Sequence, residues 1–370
     1  LLKQANFMIA IADHPTIRIQ QAQHLSPTLA GELGTFLAQS PIESGVCGEH
    51  DPRWLSVLRD ALGHEPYLLL AREEGAIVGY LPLVLVKSKL FGRFLVSLPY
   101  LNRAGVVACE ADTAEQLLRE AVTLAQRLDV QYLELRQHVF TLRSPAITHE
   151  KADKVRMVLD LPASDEALSQ AVGAKVRNQI KKGEKAGLNI RWGGEELLDG
   201  FYDVFAVNMR DLGTPVYSRK LFASILHHLE DDAEFAVVEH EGQAVAAALL
   251  VHDTMQGFAS TQVPSASSLR SFNHLNANMW MYDQLLRRAI QRGSVQFDFG
   301  RSTPESGTYR FKKQWGAQPQ PTVWQYHLRR GELGAMRPDS PKNQRRIATW
   351  QKLPVWVTRM VGPSIVRGIP

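Results

Sequence analysis

Two spacings of apolar residues alternate along this chain, and together they predict a mixed α/β fold. Helical spacing predicts a helix over 26–39, with Ser26 and Pro27 as cap and first-turn proline. A second helix is predicted over 53–63, with Trp54, Leu55, Leu58 and Leu62 on one face and Gly63 as its stop. A third covers 114–129 through Leu117, Leu118, Ala121, Leu124 and Leu128. Further helices are predicted over 171–187, 196–212, 219–229 and 279–293. Strand patterns fall at 16–20, 130–137 and 295–300, and residues 95–108 supply a further strand and a glycine-containing loop. Two paired apolar runs, EPYLLLAREEGAIVGYLPLVLV (65–86) and AEFAVVEHEGQAVAAALLVHD (233–253), read as hairpins around charged glycine turns. Residues 265–278, rich in Ser and Asn, read as a loop.

The two halves repeat each other. EEGAIVGYLPLVLV matches HEGQAVAAALLVHD, and EQLLREAVTLAQRLDVQYLELR matches YDQLLRRAIQRGSVQFDFGR, in the same order and offset by about 165–168 residues. A repeat this long is a duplicated domain. The expected division is 1–160, 161–335 and a separate tail over 336–370.

Composition adds limits. With 370 residues, 45% hydrophobic and 22% charged, the chain is too long for one ordinary core. A net charge of +4 permits an anionic partner without requiring one. The two cysteines, Cys47 and Cys109, lack metal or disulfide spacing, no HExxH occurs, and no metal is expected. The longest apolar run, Ala76 to Val86, is too short to span a bilayer, so the expected location is cytoplasmic.

Chemistry concentrates in DFGRSTPESGTYRFKKQWG, residues 298–316. A strand ends near Asp298, a small-residue loop follows, and a basic, aromatic cluster closes the stretch. Arg301 and the two lysines, Lys312 and Lys313, are candidates to meet an anion or a developing oxyanion. Asp298 is a candidate to accept a proton or orient Arg301, and Tyr309 to donate to a carbonyl or carry a proton. Ser302, Thr303 and Lys313 are candidates for substrate contact. The alternative is a surface loop before a basic edge strand, with Asp298 and Arg301 paired and Tyr309 a wall residue. His274 is a further candidate base, or a solvent-facing loop residue.

The duplicated unit, with KVRNQIKKGEKAG leading into its second copy and NMRDLGTPVYSRKLF and FDFGRSTPESGTYRFKKQWGA within it, resembles the FemAB family over about residues 15–330. It looks most like the FemAB-like proteins encoded beside exosortase (PEP-CTERM) and exopolysaccharide systems. The resemblance implies two tandem GNAT-like acyltransferase domains, each a mixed, mostly antiparallel sheet flanked by helices. It implies transfer of an acyl or aminoacyl group to an amine of an envelope or glycan precursor. Acyl-CoA or aminoacyl-tRNA would be the co-substrate, and Lys312 would be the residue at the oxyanion. A GNAT donor loop carries glycines before a helix so that backbone N–H groups meet pyrophosphate. The corresponding SLRSFNHLNANMW has none, and offers Arg270, Asn276 and Asn278 instead. That departure keeps a non-catalytic scaffold in polysaccharide assembly as the alternative. No heptad arm for tRNA is present.

The helix over 171–187 carries Lys175, Arg177, Lys181, Lys182 and Lys185, which suit phosphate, an anionic membrane face, or simple solvation. The tail interleaves basic residues with Trp350 and Trp356, and reads either as an interfacial membrane helix at the inner membrane or as a docked helix kinked at Pro354.

Overall fold

The computed structural model describes residues 17–254, 258–333 and 341–370. The expectations for residues 1–16 and for the start of the tail at 336–340 lie outside them. Two sheets carry the fold. The first contains β1 (Arg18–Ala22), β2 (Glu65–Glu73), β3 (Ala76–Ser88), β4 (Gly92–Val96), β5 (Val107–Ala108), β6 (Tyr132–Arg136) and β7 (His149–Lys151). The second contains β8 (Val155–Asp160), β9 (Asn189–Gly193), β10 (Ala233–His240), β11 (Gln243–Asp253), β12 (Ser260–Ser268), β13 (Gln296–Ser302) and β14 (Gln318–Pro321). The last strand, β15 (Trp324–Leu328), returns to the first sheet.

The strand orders are β1-β2-β3-β4-β6-β15-β7 and β9-β10-β11-β12-β13-β8-β14, the same path written twice. In each, one pair is parallel, β4 with β6 and β12 with β13, and the crossover is a helix, α3 (Ala111–Arg127) or α8 (Ala277–Gln291). The duplication seen as a sequence repeat is thus a repeat of topology. The halves also exchange strands. β8 follows β7 in the chain but pairs in the second sheet, and β15 takes the matching place in the first. The two crossing segments touch where Thr322 Oγ1 donates to Lys154 O at 2.9 Å.

The predicted helices form where local signals are strong. α1 (Pro27–Gln39) is capped by Ser26, whose Oγ accepts from Leu29 N at 3.2 Å. α2 (Arg53–Leu62) ends at Gly63 with φ +66°. α1 and α2 pack with α6 (Leu198–Leu212) and α7 (Arg219–Leu229) into one core that joins the halves, with Leu33, Leu55, Leu58, Phe201 and Phe222 buried together. α3 covers the outer face of the first sheet.

Four local readings change. The basic helix does not start at Ala171, which instead ends α4 (Asp165–Ala171). Gly173 turns extended, and α5 (Ala174–Lys185) begins after it. Residues 260–268, partly read as loop, form β12, because pairing with β11 outweighs the weak strand preference of serine. Residues 307–313 are not an edge strand but the helix α9 (Gly307–Lys313), capped by Ser306, whose Oγ accepts from Tyr309 N at 3.2 Å. The tail is two helices, α10 (Pro341–Trp350) and α11 (Val355–Val366), and Pro354 precedes α11 rather than kinking a single helix.

Candidate active site

The site forms where the second sheet splits. β12 and β13 pair only as far as Gln262 with Asp298, although both strands continue. Just beyond, β13 bulges against β8: Asp298 faces Val158 and Arg301 faces Arg156, so Phe299 and Gly300 together oppose one residue. Gly300 takes φ +76°, which a side chain would strain, and its N–H donates to Asp298 Oδ1 at 2.7 Å. The bulge aims two carbonyls at α9, and Lys312 Nζ donates to Gly300 O at 3.1 Å and to Arg301 O at 3.0 Å. An ammonium has three donors, so one N–H remains for a ligand. Burial lowers the Lys312 pKa to about 8, while the charge of Asp298 acts in the opposite direction.

Asp298 is buried, and its pKa rises to about 6 because burial disfavours the carboxylate, with Arg103 the main opposing charge. Its Oδ2 lies 3.5 Å from Arg156 Nε and makes no hydrogen bond. The first half supplies the surrounding charges. Arg103 Nη2 lies 2.7 Å from Glu49 Oε2, both groups buried, and Arg103 Nη1 lies 3.4 Å from His138 Nε2. Burial, with the nearby Arg103 charge, lowers the His138 pKa to about 3, which keeps its ring neutral. The segment bearing Glu49 is held by His50, whose Nε2 bonds Gly105 O at 2.9 Å, and by Gly48, where any Cβ would strike Asp253 of β11. Arg103, Glu49, His138 and Arg156 are residues that sequence reasoning missed. The available signals were weak: charges inside the apolar stretches LNRAGVV and VRMVLD, and Pro264, which has no N–H and stands in β12 where the split opens.

The pairing of Asp298 with Arg301, the alternative expected from sequence, is not formed: Asp298 Oδ2 lies 3.5 Å from Arg156 Nε, and the Arg301 guanidinium is engaged elsewhere. Arg301 instead stacks on Trp324 of β15, its Cζ 3.8 Å from the ring centroid, and Arg136 approaches the same ring at 4.0 Å. Burial and the Arg136 charge lower the Arg301 pKa to about 10. The Tyr309 ring lies in the core against the second sheet. Ser302 is buried with an unpartnered hydroxyl, Thr303 accepts from Lys154 Nζ, and Lys313 is exposed with its Nζ 5.7 Å from the Tyr309 ring centroid.

The donor-loop candidates sit at the start of α8. Asn276 adopts φ +56°, the left-handed conformation that glycine would otherwise supply. No side chain caps α8, so the N–H groups of its first turn receive no side-chain acceptor. Arg270 is exposed and donates to Asp211 O at 3.3 Å, and Asn278 is half-buried in the first turn. α9 meets this turn directly, since Gln314 Nε2 lies 3.6 Å from Met279 Sδ. His274 is exposed beside the Phe272 ring. The α5 cations all face solvent, while Val176, Ile180 and Gly183 face inward.

Among the described residues of the first half, the corresponding split is bridged. After β4 and β6 part, the chain fills the gap: Arg136 N donates to Ser97 Oγ at 2.8 Å, and Ala104 N donates to Arg136 O at 3.0 Å. Among the described residues, no cluster of His, Cys, Asp and Glu could hold a metal ion, and no helix is long and apolar enough to cross a membrane.

Residues 171–313 match the model of an acetyltransferase (GNAT) domain. No curated protein matches the chain in sequence. Among solved structures, the chain is similar to FemX (TM-score 0.62, 14% identity, covering 90% of this chain and 100% of that one). It is also similar to the C-terminal domain of a putative lysylphosphatidylglycerol synthetase from Agrobacterium fabrum (TM-score 0.52, 13% identity, covering 81% and 92%). L-PGS from Bacillus licheniformis is a third (TM-score 0.50, 13% identity, covering 86% and 99%). The chain therefore has the fold of two GNAT-like units in tandem, with the acetyltransferase-domain match in the second.

Proposed function

We propose that this protein is an N-acyltransferase that moves an acyl or aminoacyl group to an amine of a cell-envelope or exopolysaccharide precursor. The observation that carries the reading is the buried Lys312 ammonium beside the split of β12 and β13, with two donors held by the bulge and one free. An amine adding to the donor carbonyl forms a tetrahedral carbon whose oxygen becomes negative. The remaining Lys312 N–H meets that oxygen. The attacking nitrogen releases its proton, for which Asp298, with its raised pKa, is the acceptor in reach of the same strand end. Collapse of the intermediate then expels the donor's leaving group, a thiolate from acyl-CoA or the sugar oxygen of an aminoacyl-tRNA ester.

The uncapped start of α8 supports a donor with a pyrophosphate, because N–H groups without a side-chain acceptor and the helix dipole favour an anion there. Asn276 takes the left-handed turn for which the loop has no glycine, which supports catalysis over the scaffold reading. The exposed cations of α5 suit the larger anionic donor, aminoacyl-tRNA. The exopolysaccharide acceptor rests on the sequence resemblance alone.

The test is donor titration followed by turnover. Acetyl-CoA, longer acyl-CoAs and a mixed charged-tRNA pool are titrated against thermal midpoint, and transfer is assayed on a panel of amino sugars and amine-bearing sugar nucleotides. One donor class should raise the midpoint in both wild type and Lys312→Ala, while the variant loses about 10²–10³-fold in turnover. Silence from every donor, or full turnover in Lys312→Ala, overturns the reading.

A further inference from the structure

α11 is amphipathic twice over. One side docks: Thr358 is fully buried, a Cβ on Gly362 would lie 2.8 Å from Val216 N, and Val366 is buried. Arg359 pairs with Asp203 of α6 at 2.6 Å, and Tyr100 Oη of the first half donates to Arg367 O at 2.8 Å. The helix is therefore fixed to both halves. Its other side carries Trp356 and Met360, each 67% exposed and one turn apart, with Val361 beside them. Exposed large apolar groups held rigidly in one stripe mark a contact surface.

A second exposed apolar group lies in the turn that meets the end of the tail. The β3–β4 turn, KSKLFGR, puts Leu90 out at 73% exposure between the exposed Lys89 and Arg93. Ser88 fixes this turn by accepting from Leu90 N at 3.3 Å and Phe91 N at 3.2 Å, and the same Ser88 packs against Gly368 at the end of the tail. Residues 341–370 contain Lys342, Arg345, Arg346, Lys352, Arg359 and Arg367 and no Asp or Glu.

We propose that the exposed stripe of α11, with the Leu90 turn, is a docking surface for an anionic lipid bilayer. Tryptophan and methionine enter the interface, and the surrounding cations meet lipid phosphates. Charge decides between occupants. A second copy of this chain on a twofold axis would bring the same acid-free basic segment against itself, whereas anionic headgroups neutralise it. The surface is independent of the acyl-transfer chemistry.

Cosedimentation of the whole chain with phosphatidylcholine vesicles, with and without phosphatidylglycerol, tests this. The protein should pellet with the anionic vesicles and be released by raised salt. Trp356→Ser/Met360→Ser should weaken that partition by at least about tenfold, while Val295→Ser, an exposed apolar site elsewhere, should not. Arg345→Glu/Arg346→Glu, which leaves the docked face untouched, should abolish the preference for phosphatidylglycerol. Absence of wild-type binding, or unchanged binding in both double variants, overturns the proposal. So does a dimer in sedimentation velocity that the Trp356/Met360 variant dissolves, since that assigns the stripe to a second copy.

Discussion

Lys312 and Asp298 have shifted pKa values in opposite directions from their usual ones, and both shifts trace first to burial. Lys312 must be protonated to meet an oxyanion and Asp298 ionised to accept a proton. Activity should therefore hold between about pH 6 and about pH 8, falling below as Asp298 protonates and above as Lys312 deprotonates. A pH–rate profile checks this, and Asp298→Asn should remove its acid limb with most of the rate. The stability signs follow. Lys312 binds its proton less tightly when folded, so its contribution to stability rises with pH from about 8 toward the usual 10.5. Asp298 binds its proton more tightly when folded, so the stability it adds in acid is lost as pH rises through about 6. Near neutrality both groups cost stability, which is the expected mark of residues kept for function. Glu49 acts differently. Removing it leaves Arg103 buried without its carboxylate, so Glu49→Ala should lower unfolding free energy by about 3–5 kcal/mol in urea titration.

Among the elements, the β13 bulge and α9 work as a pair. Gly300 can adopt φ +76° at little cost, and that conformation turns two carbonyls to the lysine. Gly300→Ala should cost about 1–2 kcal/mol in stability. It should reduce turnover by more than the unfolded fraction explains, because Lys312 loses its anchor. Normal turnover in a folded Gly300→Ala protein would show that the bulge does not orient Lys312. The serine cap that starts α9 is local, and its chemistry is visible in PESGTYR. Its consequence is not, since a capped helix and a basic edge strand use the same residues until the sheet beside them is known.

The whole molecule is bound together by strand exchange. β15 lies between β6 and β7, and β8 between β13 and β14, so neither sheet is complete without chain from across the repeat boundary. The shared core of α1, α2, α6 and α7 adds apolar contact between the halves. Unfolding should therefore be one transition by both fluorescence and circular dichroism. A chain ended after Pro321 should aggregate, because β6 and β7 become open edges. Two separated transitions, or a soluble folded protein lacking β15, would contradict this. The exchange also places Trp324 of β15 beside Arg301, which links the first sheet to the site in the second.

By itself the sequence determined α1 with its serine cap, α2 with its glycine stop, the two hairpins and the duplication, because periodicity, capping and turn chemistry act within a few residues. The charged residues crowded around one strand end also marked the stretch that bears Asp298 and two lysines, and the FemAB resemblance chose Lys312 between them. The tertiary structure alone decided where β8 and β15 pair, that chain bridges β4 and β6 beyond their pairing while β12 and β13 stop pairing at Gln262, and that Glu49 and Arg103 stand by Asp298. The reason is physical. A short strand carries no mark of its distant partner, and a buried charge shows its meaning only when the opposite charge arrives from a remote segment, here Glu49 reaching Arg103 across 54 positions.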